Sequence, residues 1–268
     1  MPQPHLFSLT VRHYECDAHG WVHPAAMLGY MQEAAFSGSA SVGYSARRYE
    51  QLGIYWLAYE TELTVLKRIT YGDSLVLHTW VHDMRRVRSL RKYEIYSEGH
   101  IVAHGSTDWV LIDIAKQYPM TIPPEMVVAY SQGDDVSEAP PRAPFGKISA
   151  PPAHAFTVQR RVEVRDIDTA NHVNNAVYLH YAADAEQQAL ESAGWDAARF
   201  AQHNAALITT HHEVTYKVAA VLGDYLNVTT WADSLTEEGG VRYTLIKRAH
   251  DDKLVTQIRS VFAWADTR

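Results

Sequence analysis

The stretch Asp168–Ala182, DTANHVNNAVYLHYA, has an earlier counterpart in Asp17–Met31, DAHGWVHPAAMLGYM. A shift of 151 positions sets Asp17 on Asp168, Val22 on Val173, Ala25 on Ala176, Leu28 on Leu179 and Tyr30 on Tyr181. The same shift overlays ETELTVLKRITYGDSLVLHTW (60–80) on HHEVTYKVAAVLGDYLNVTTW (211–231). There Glu62, Thr64, Gly72, Asp73, Leu75, Thr79 and Trp80 each meet their own residue type. A constant offset held over this length indicates a tandem duplication.

The repeat sets the expected domains. Residues 1–130 form one and 156–268 the other. Residues 131–155, rich in Pro, Ser, Gly and Ala, read as a linker. In each half a short strand (7–14 and 156–165) leads into a polar loop and then a helix, roughly 24–39 and 175–193. The remainder of each half alternates β-branched and aromatic residues with polar ones, which predicts four or five strands. The expected class is α+β, an antiparallel sheet curled over one helix per half. Two equivalent halves are expected to pair about a pseudo-two-fold axis, as a pseudo-dimeric monomer or as a homodimer of such tandems.

Composition narrows the function. The chain has 268 residues, 47% of them hydrophobic, enough to fill two cores. Its net charge of -7 argues against a nucleic-acid partner. The lone Cys16 excludes a disulfide framework. No run is long and apolar enough for a membrane span, and the N-terminus lacks a signal-peptide pattern, so a cytoplasmic location is expected.

The polar loop has two readings. Asn174 can cap a helix start, leaving Asp168 and His172 as local structure. Alternatively, a carboxylate near a helix N-terminus can activate a water or attack a carbonyl. Nearby amides would then stabilise the oxyanion. The catalytic candidates are Asp17, Asp168, His172 and Asn174. Oxyanion or loop support falls to Gly20, Trp21 and Val22 in the first copy, and to Asn171, Val173 and Asn175 in the second. Pro24 suits a first helical turn.

These residues closely resemble the signature of hotdog-fold thioesterases, Asp-x-x-Gly-x-Val or Asp-x-x-x-His-Val-Asn-Asn-x-x-Tyr. YGDSLVLHTW and LGDYLNVTTW resemble the family's entry into its next strand. The resemblance covers about 7–130 and 156–268 and is nearest to double-hotdog acyl-ACP thioesterases and related acyl-CoA thioesterases. It implies a tandem hotdog fold, hydrolysis of a thioester carried on acyl-carrier protein or coenzyme A, and no cofactor or metal. It also implies active sites between hotdog units. Asp17 matches the acid of the 4-hydroxybenzoyl-CoA type. Asp168 and His172 match the acid and His of the plant-type enzymes. The intervening Asn of that pattern is Ala170 here, and its later acidic or cysteine position is Ala220 or Val221, so neither acid is preferred. A noncatalytic acyl-thioester or carrier-binding protein on the same fold is the alternative. A 3-hydroxyacyl thioester dehydratase is a third.

Other residues complete the reading. Cys16 lies between Glu15 and Asp17, which raise a thiol pKa, so it is expected to be structural. His211 and His212 point to opposite faces of a strand and do not make a metal pair. The basic run Arg85, Arg86, Arg88, Arg91 and Lys92 is either a solvated strand and turn or a phosphate or carrier contact. Tyr49, Tyr55, Trp56 and Tyr59 serve as core or as the walls of an acyl tunnel.

Overall fold

A computed structural model describes residues 3–131, 144–146 and 148–267. The chain divides into two compact units, Met1–Pro144 and Phe145–Arg268. The division falls inside the expected linker, of which residues 132–143 and 147 lie outside the described residues.

In the first unit, β1 (His5–Thr10) leads through a 3-10 turn (His13–Glu15) and the 17–22 loop into α1 (Pro24–Ser41). Next come α2 (Ala46–Leu52), β2 (Ile54–Val65), β3 (Ser74–Arg85), β4 (Arg88–Ser97), β5 (His100–Asp113), the short β6 (Tyr118–Pro119) and α3 (Pro124–Ser131). The sheet order is β1-β3-β4-β5-β2, all antiparallel, with β6 on β5. Pro24 starts α1 where a missing N–H costs nothing. Met27, Tyr30, Met31, Ala34 and Ala35 form one face at helical spacing. They bury themselves with Leu63, Leu75, Leu77, Tyr93 and Ile95 of the sheet. Gly105 on β5 lets the helix come close, since a Cβ there would lie 2.9 Å from Met31 Cε and 2.4 Å from the Glu62 carbonyl.

The second unit repeats this plan. It has β7 (Phe156–Arg161), a 3-10 turn (Val164–Asp166), α4 (Val177–Ser192), α5 (Ala197–Gln202), β8 (Ala205–Tyr216), β9 (Tyr225–Asp233), β10 (Gly239–Arg248) and β11 (Leu254–Asp266). The order is β7-β9-β10-β11-β8, again antiparallel. The repeat holds at the level of register. His5 faces Thr79 in the first sheet, and Phe156 faces Thr230 in the second, both 151 positions on. The constant offset ends at the turn before β11 (249–253), which is longer than its counterpart (98–99).

Three short helices go beyond the expected single helix per half. Each has a local cause. Ser45 accepts from Arg48 N and Gly53 takes a left-handed φ of 65°, bounding α2. Asp196 caps α5 in the same way through Arg199 N. Proline opens α3. β2 also begins earlier than expected, so Tyr55, Trp56 and Tyr59 are strand residues while Tyr49 sits on α2.

Candidate active site

The two loops share one backbone. Asp17 N donates to Trp21 O at 2.8 Å, and Asp168 N to His172 O at 3.1 Å. Gly20 N and Asn171 N each reach back to the Asp carbonyl at 3.0 Å. Val22 N donates to Ile69 O at 2.8 Å, and Val173 N to Ala220 O at 2.9 Å. His23 N and Asn174 N donate at 2.9 Å to the carbonyls of Glu15 and Asp166. The tight turn needs a left-handed residue, supplied by Gly20 (φ 79°) and by Asn171 (φ 62°).

This bonding corrects the expected oxyanion donors. The amides of Gly20, Trp21, Val22, Asn171 and Val173 already donate within the chain. Trp21 N, for instance, donates to Asp17 Oδ1 at 3.0 Å. Among the described residues, Ala25 N and Asn175 N find no acceptor and remain open at the two helix starts. Asn175 also contributes its carbonyl, which accepts from the Tyr216 hydroxyl at 3.1 Å.

Side chains separate the loops. In the first, Asp17 Oδ1 also accepts from His19 N at 2.8 Å. Trp21 lies between the stacked His19 ring (4.8 Å between centroids) and the Arg68 guanidinium (3.8 Å). In the second, an acid, an imidazole and an amide meet. Asp168 Oδ1 accepts from Ala170 N at 2.9 Å, and Oδ2 accepts from Asn174 Nδ2 at 3.3 Å. His172 Nδ1 lies 3.8 Å from Asp168 Oδ1 and 3.3 Å from Val173 O. Among the described residues, its Nε2 is buried with no hydrogen-bond partner. Asn174 Oδ1 accepts from Ala176 N at 3.0 Å, so this residue both starts the helix and holds the acid.

Beneath each loop sits a buried acid that the sequence reading passed over. Glu15 accepts from Arg12 N (2.8 Å), Arg12 Nη1 (3.0 Å) and the Tyr30 hydroxyl (2.6 Å). Asp166 occupies the same place, accepting from Glu163 N at 2.8 Å; burial first, and Asp166 second, raise the phenol pKa of Tyr181. The available signal was an acid kept across the repeat while its type changed. Cys16 is partly buried. Its thiol pKa is raised first by burial and then by Asp17, Glu15 and Asp73.

The structure does not gather the basic run into one exposed patch. Arg85 pairs with Asp83 at 2.8 Å and Arg88 pairs with Asp108. Arg86 occupies the left-handed turn between β3 and β4. Arg91 is only 6% exposed and so is not part of any surface patch. Lys92 follows it on β4. Of the aromatic group, Tyr49 and Trp56 line a partly open cavity, while Tyr59 lies under Arg88. Among the described residues, no three His, Cys, Asp or Glu side chains cluster in a way that could hold a metal.

Comparison with known proteins bears on both units. Residues 5–130 match the acyl-ACP thioesterase N-terminal domain, and residues 162–268 match the thioesterase-like superfamily. The chain is 28% identical over 116 residues to the long-chain acyl-CoA thioesterase FadM of Escherichia coli, covering 41% of this chain and 85% of that one. It is 19% identical over 199 residues to the chloroplastic oleoyl-acyl carrier protein thioesterase 1 of Arabidopsis thaliana. That match covers 67% of this chain and about half (54%) of the plant protein. The 12:0-ACP thioesterase from Umbellularia californica superposes with a TM-score of 0.77 at 16% identity, over 99% of both chains. That likeness shows the fold, α+β and double hotdog, as the sequence resemblance implied. With a thioesterase family model on each unit and one shared loop architecture, the chain belongs to the hotdog thioesterase superfamily, its first unit an acyl-ACP thioesterase N-terminal domain.

Proposed function

We propose that this protein hydrolyses fatty acyl thioesters, with acyl-ACP as the carrier form and the 168–176 loop as the working site. The observation that carries the choice of loop is the meeting of Asp168, His172 and Asn174, with an imidazole nitrogen left buried and without a partner among the described residues. Such a nitrogen costs about 1–3 kcal/mol, a cost removed when a water or substrate atom meets it. The first loop carries Trp21 where the second carries His172, so it offers no matching second group. The match of residues 5–130 supports the ACP carrier over coenzyme A.

The chemistry follows from the donors and acceptors present. A carboxylate accepts at about four lone-pair sites, so Asp168 can hold a water beside its two existing bonds. Asn174 fixes the carboxylate, and His172 supplies the second polar contact at the reacting centre. Water oxygen attacks the thioester carbon while Asp168 takes the proton. The open Asn175 amide, at the start of the helix, faces the developing oxyanion. The C–S bond then breaks, and the proton passes from Asp168 to the departing thiolate.

The test is thiol release from a panel of acyl chains on ACP and on coenzyme A, run with wild type, Asp168→Asn, His172→Ala and Asp17→Asn. Loss in Asp168→Asn, on the order of 10²–10⁴-fold, with activity retained in Asp17→Asn is the expected result. The reverse pattern would move the work to the first loop. Binding without thiol release would leave a carrier-binding protein, and a conjugated double bond in the product would mean dehydration.

A further inference from the structure

Arg91 on β4 and Arg242 on β10 occupy the same position of the repeat, and both are buried. Their neighbours differ. Arg242 Nε meets Glu186 Oε1 of α4 at 2.9 Å. The position equivalent to Glu186 in α1 is Ala35. Arg91 therefore has no carboxylate partner among the described residues. Its polar contact is a single 3.3 Å bond from Nη1 to Thr79 Oγ1, and the Tyr130 ring lies 5.8 Å away. A buried cation left uncompensated costs several kcal/mol. The second unit removes that cost with Glu186, and the first unit keeps it.

The unpaired guanidinium faces a cavity. Ala35, Ser39, Trp56, Trp109 and Tyr130 line it together with Arg91, its volume is about 30 Å³, and the exposed Phe36 marks its open side. A site of about 10–15 Å³ by the same measure already holds one water, so the space admits a small polar group such as a carboxylate. A second donor is also unspent there. Among the described residues, Trp109 Nε1 and the Tyr93 hydroxyl beside it are both buried without a hydrogen-bond partner. By contrast Trp56 Nε1 donates to the Tyr49 hydroxyl at 3.0 Å, and that hydroxyl in turn bonds Tyr130. Gly38 of α1 brings the helix over Arg91, as a Cβ there would lie 3.0 Å from Nη1.

We propose that this cavity binds a carboxylate carried on an apolar stem, with Arg91 as its counter-ion and Trp109 Nε1 as a second donor. The guanidinium suits a carboxylate in a planar, bidentate fashion, and the aromatic walls suit the stem. The carboxylate is either that of a free fatty acid or the far end of a dicarboxylic acyl thioester. The second source rests on the proposed hydrolase activity; the first does not.

Calorimetry on the full chain tests the site, using a medium-chain carboxylic acid and the primary alcohol of the same length. The wild type is expected to bind the acid about tenfold or more tighter than the alcohol, by analogy with other charged hydrogen bonds. Ala35→Glu copies the second unit's pair into the first and is expected to abolish that preference. Arg91→Met should abolish it too. Should Arg91→Met fail to fold, Ala35→Glu still decides, with its thermal melt as the check on folding. Equal binding of acid and alcohol by wild type overturns the proposal, as does an acid preference that survives in folded Ala35→Glu. Thiol release from an ω-carboxyacyl-CoA and a plain acyl-CoA then separates the sources. A preference lost in Ala35→Glu names the chain end, and equal rates beside intact acid binding name the free acid. No release from either thioester would sink the hydrolase reading alone and leave the calorimetric result standing.

Discussion

The Tyr30 hydroxyl of α1 donates to Glu15 Oε2 at 2.6 Å, tying the first long helix to the turn just ahead of the Asp17 loop. Burial first, and Glu15 second, push the phenol pKa well above its ordinary value, so it stays a donor across the working range. Tyr30→Phe removes one bond to a buried carboxylate. Stability should fall by about 1.5–3 kcal/mol, read from urea unfolding midpoints. A change under half a kcal/mol would show that the Arg12 contacts hold Glu15 alone.

Asn174 separates a capping role from a catalytic one. Asn174→Ala loses the bond to Ala176 N, worth about 1 kcal/mol, and frees Asp168 Oδ2. Asn174→Asp keeps the acceptor for Ala176 N but sets a second negative charge beside Asp168. If the residue serves only the helix start, the Asp variant should keep both stability and thiol release. The expected outcome is a folded Asp variant with thiol release reduced tenfold or more.

His212 makes stability depend on pH. Burial, and then His211, lower its pKa from 6.5 to about 3 in the folded chain. The unfolded chain takes up a proton below about 6.5 while the folded one does not until about 3. Its contribution is therefore complete above pH 6.5 and is lost as pH falls toward 3, at up to about 1.4 kcal/mol per pH unit. The first unit has Thr61 bonded to Thr107 (3.2 Å) where the second has His212 bonded to Ser260 (2.9 Å). His212→Thr should flatten the acid limb of the stability profile between pH 6 and pH 4. An unchanged slope would assign that limb to other groups.

Two glycines should respond in opposite senses to alanine. Gly29 lies inside α1, and a Cβ there meets nothing within 4 Å, so Gly29→Ala should add about 0.5–1 kcal/mol. Gly105 would set its Cβ 2.4 Å from the Glu62 carbonyl, a backbone atom that cannot yield. Gly105→Ala should lower the melting temperature sharply or prevent folding. A mild effect would mean that β2 can shift away from β5 at this position at little cost.

Cys16 should behave as a slow thiol. Burial and the surrounding acids raise its pKa, which reduces the thiolate fraction at neutral pH. Alkylation should be slower than for a free cysteine peptide and should rise only at higher pH. Rapid modification at pH 7 would contradict the placement of Asp17, Glu15 and Asp73 around it.

The repeat was readable because both copies had to keep the same backbone. Its landmarks, from Asp17 and Asp168 to Gly72 and Gly223, sit at turns and strand starts that tolerate few residue types. Short helices were harder to read: α2 has only seven residues and no apolar face to set a period, though Ser45 and Gly53 marked its ends. The oxyanion amides could not be judged from sequence, because a hydrogen bond such as that from Val22 N to Ile69 O joins segments far apart in the chain. The same holds for the basic run. Arg88 is neutralised by Asp108, twenty residues on, and Arg91 turns inward because β4 alternates.

The loop backbone survives a change of nearly every side chain it carries, from Gly20 to Asn171 at the left-handed position and from Trp21 to His172 beside it. It therefore works as an exchangeable cassette: the second loop's residues can be written onto the first without redrawing the chain path. A protein grafted in this way would carry two copies of one polar cluster, the second on a frame that already folds around its shape.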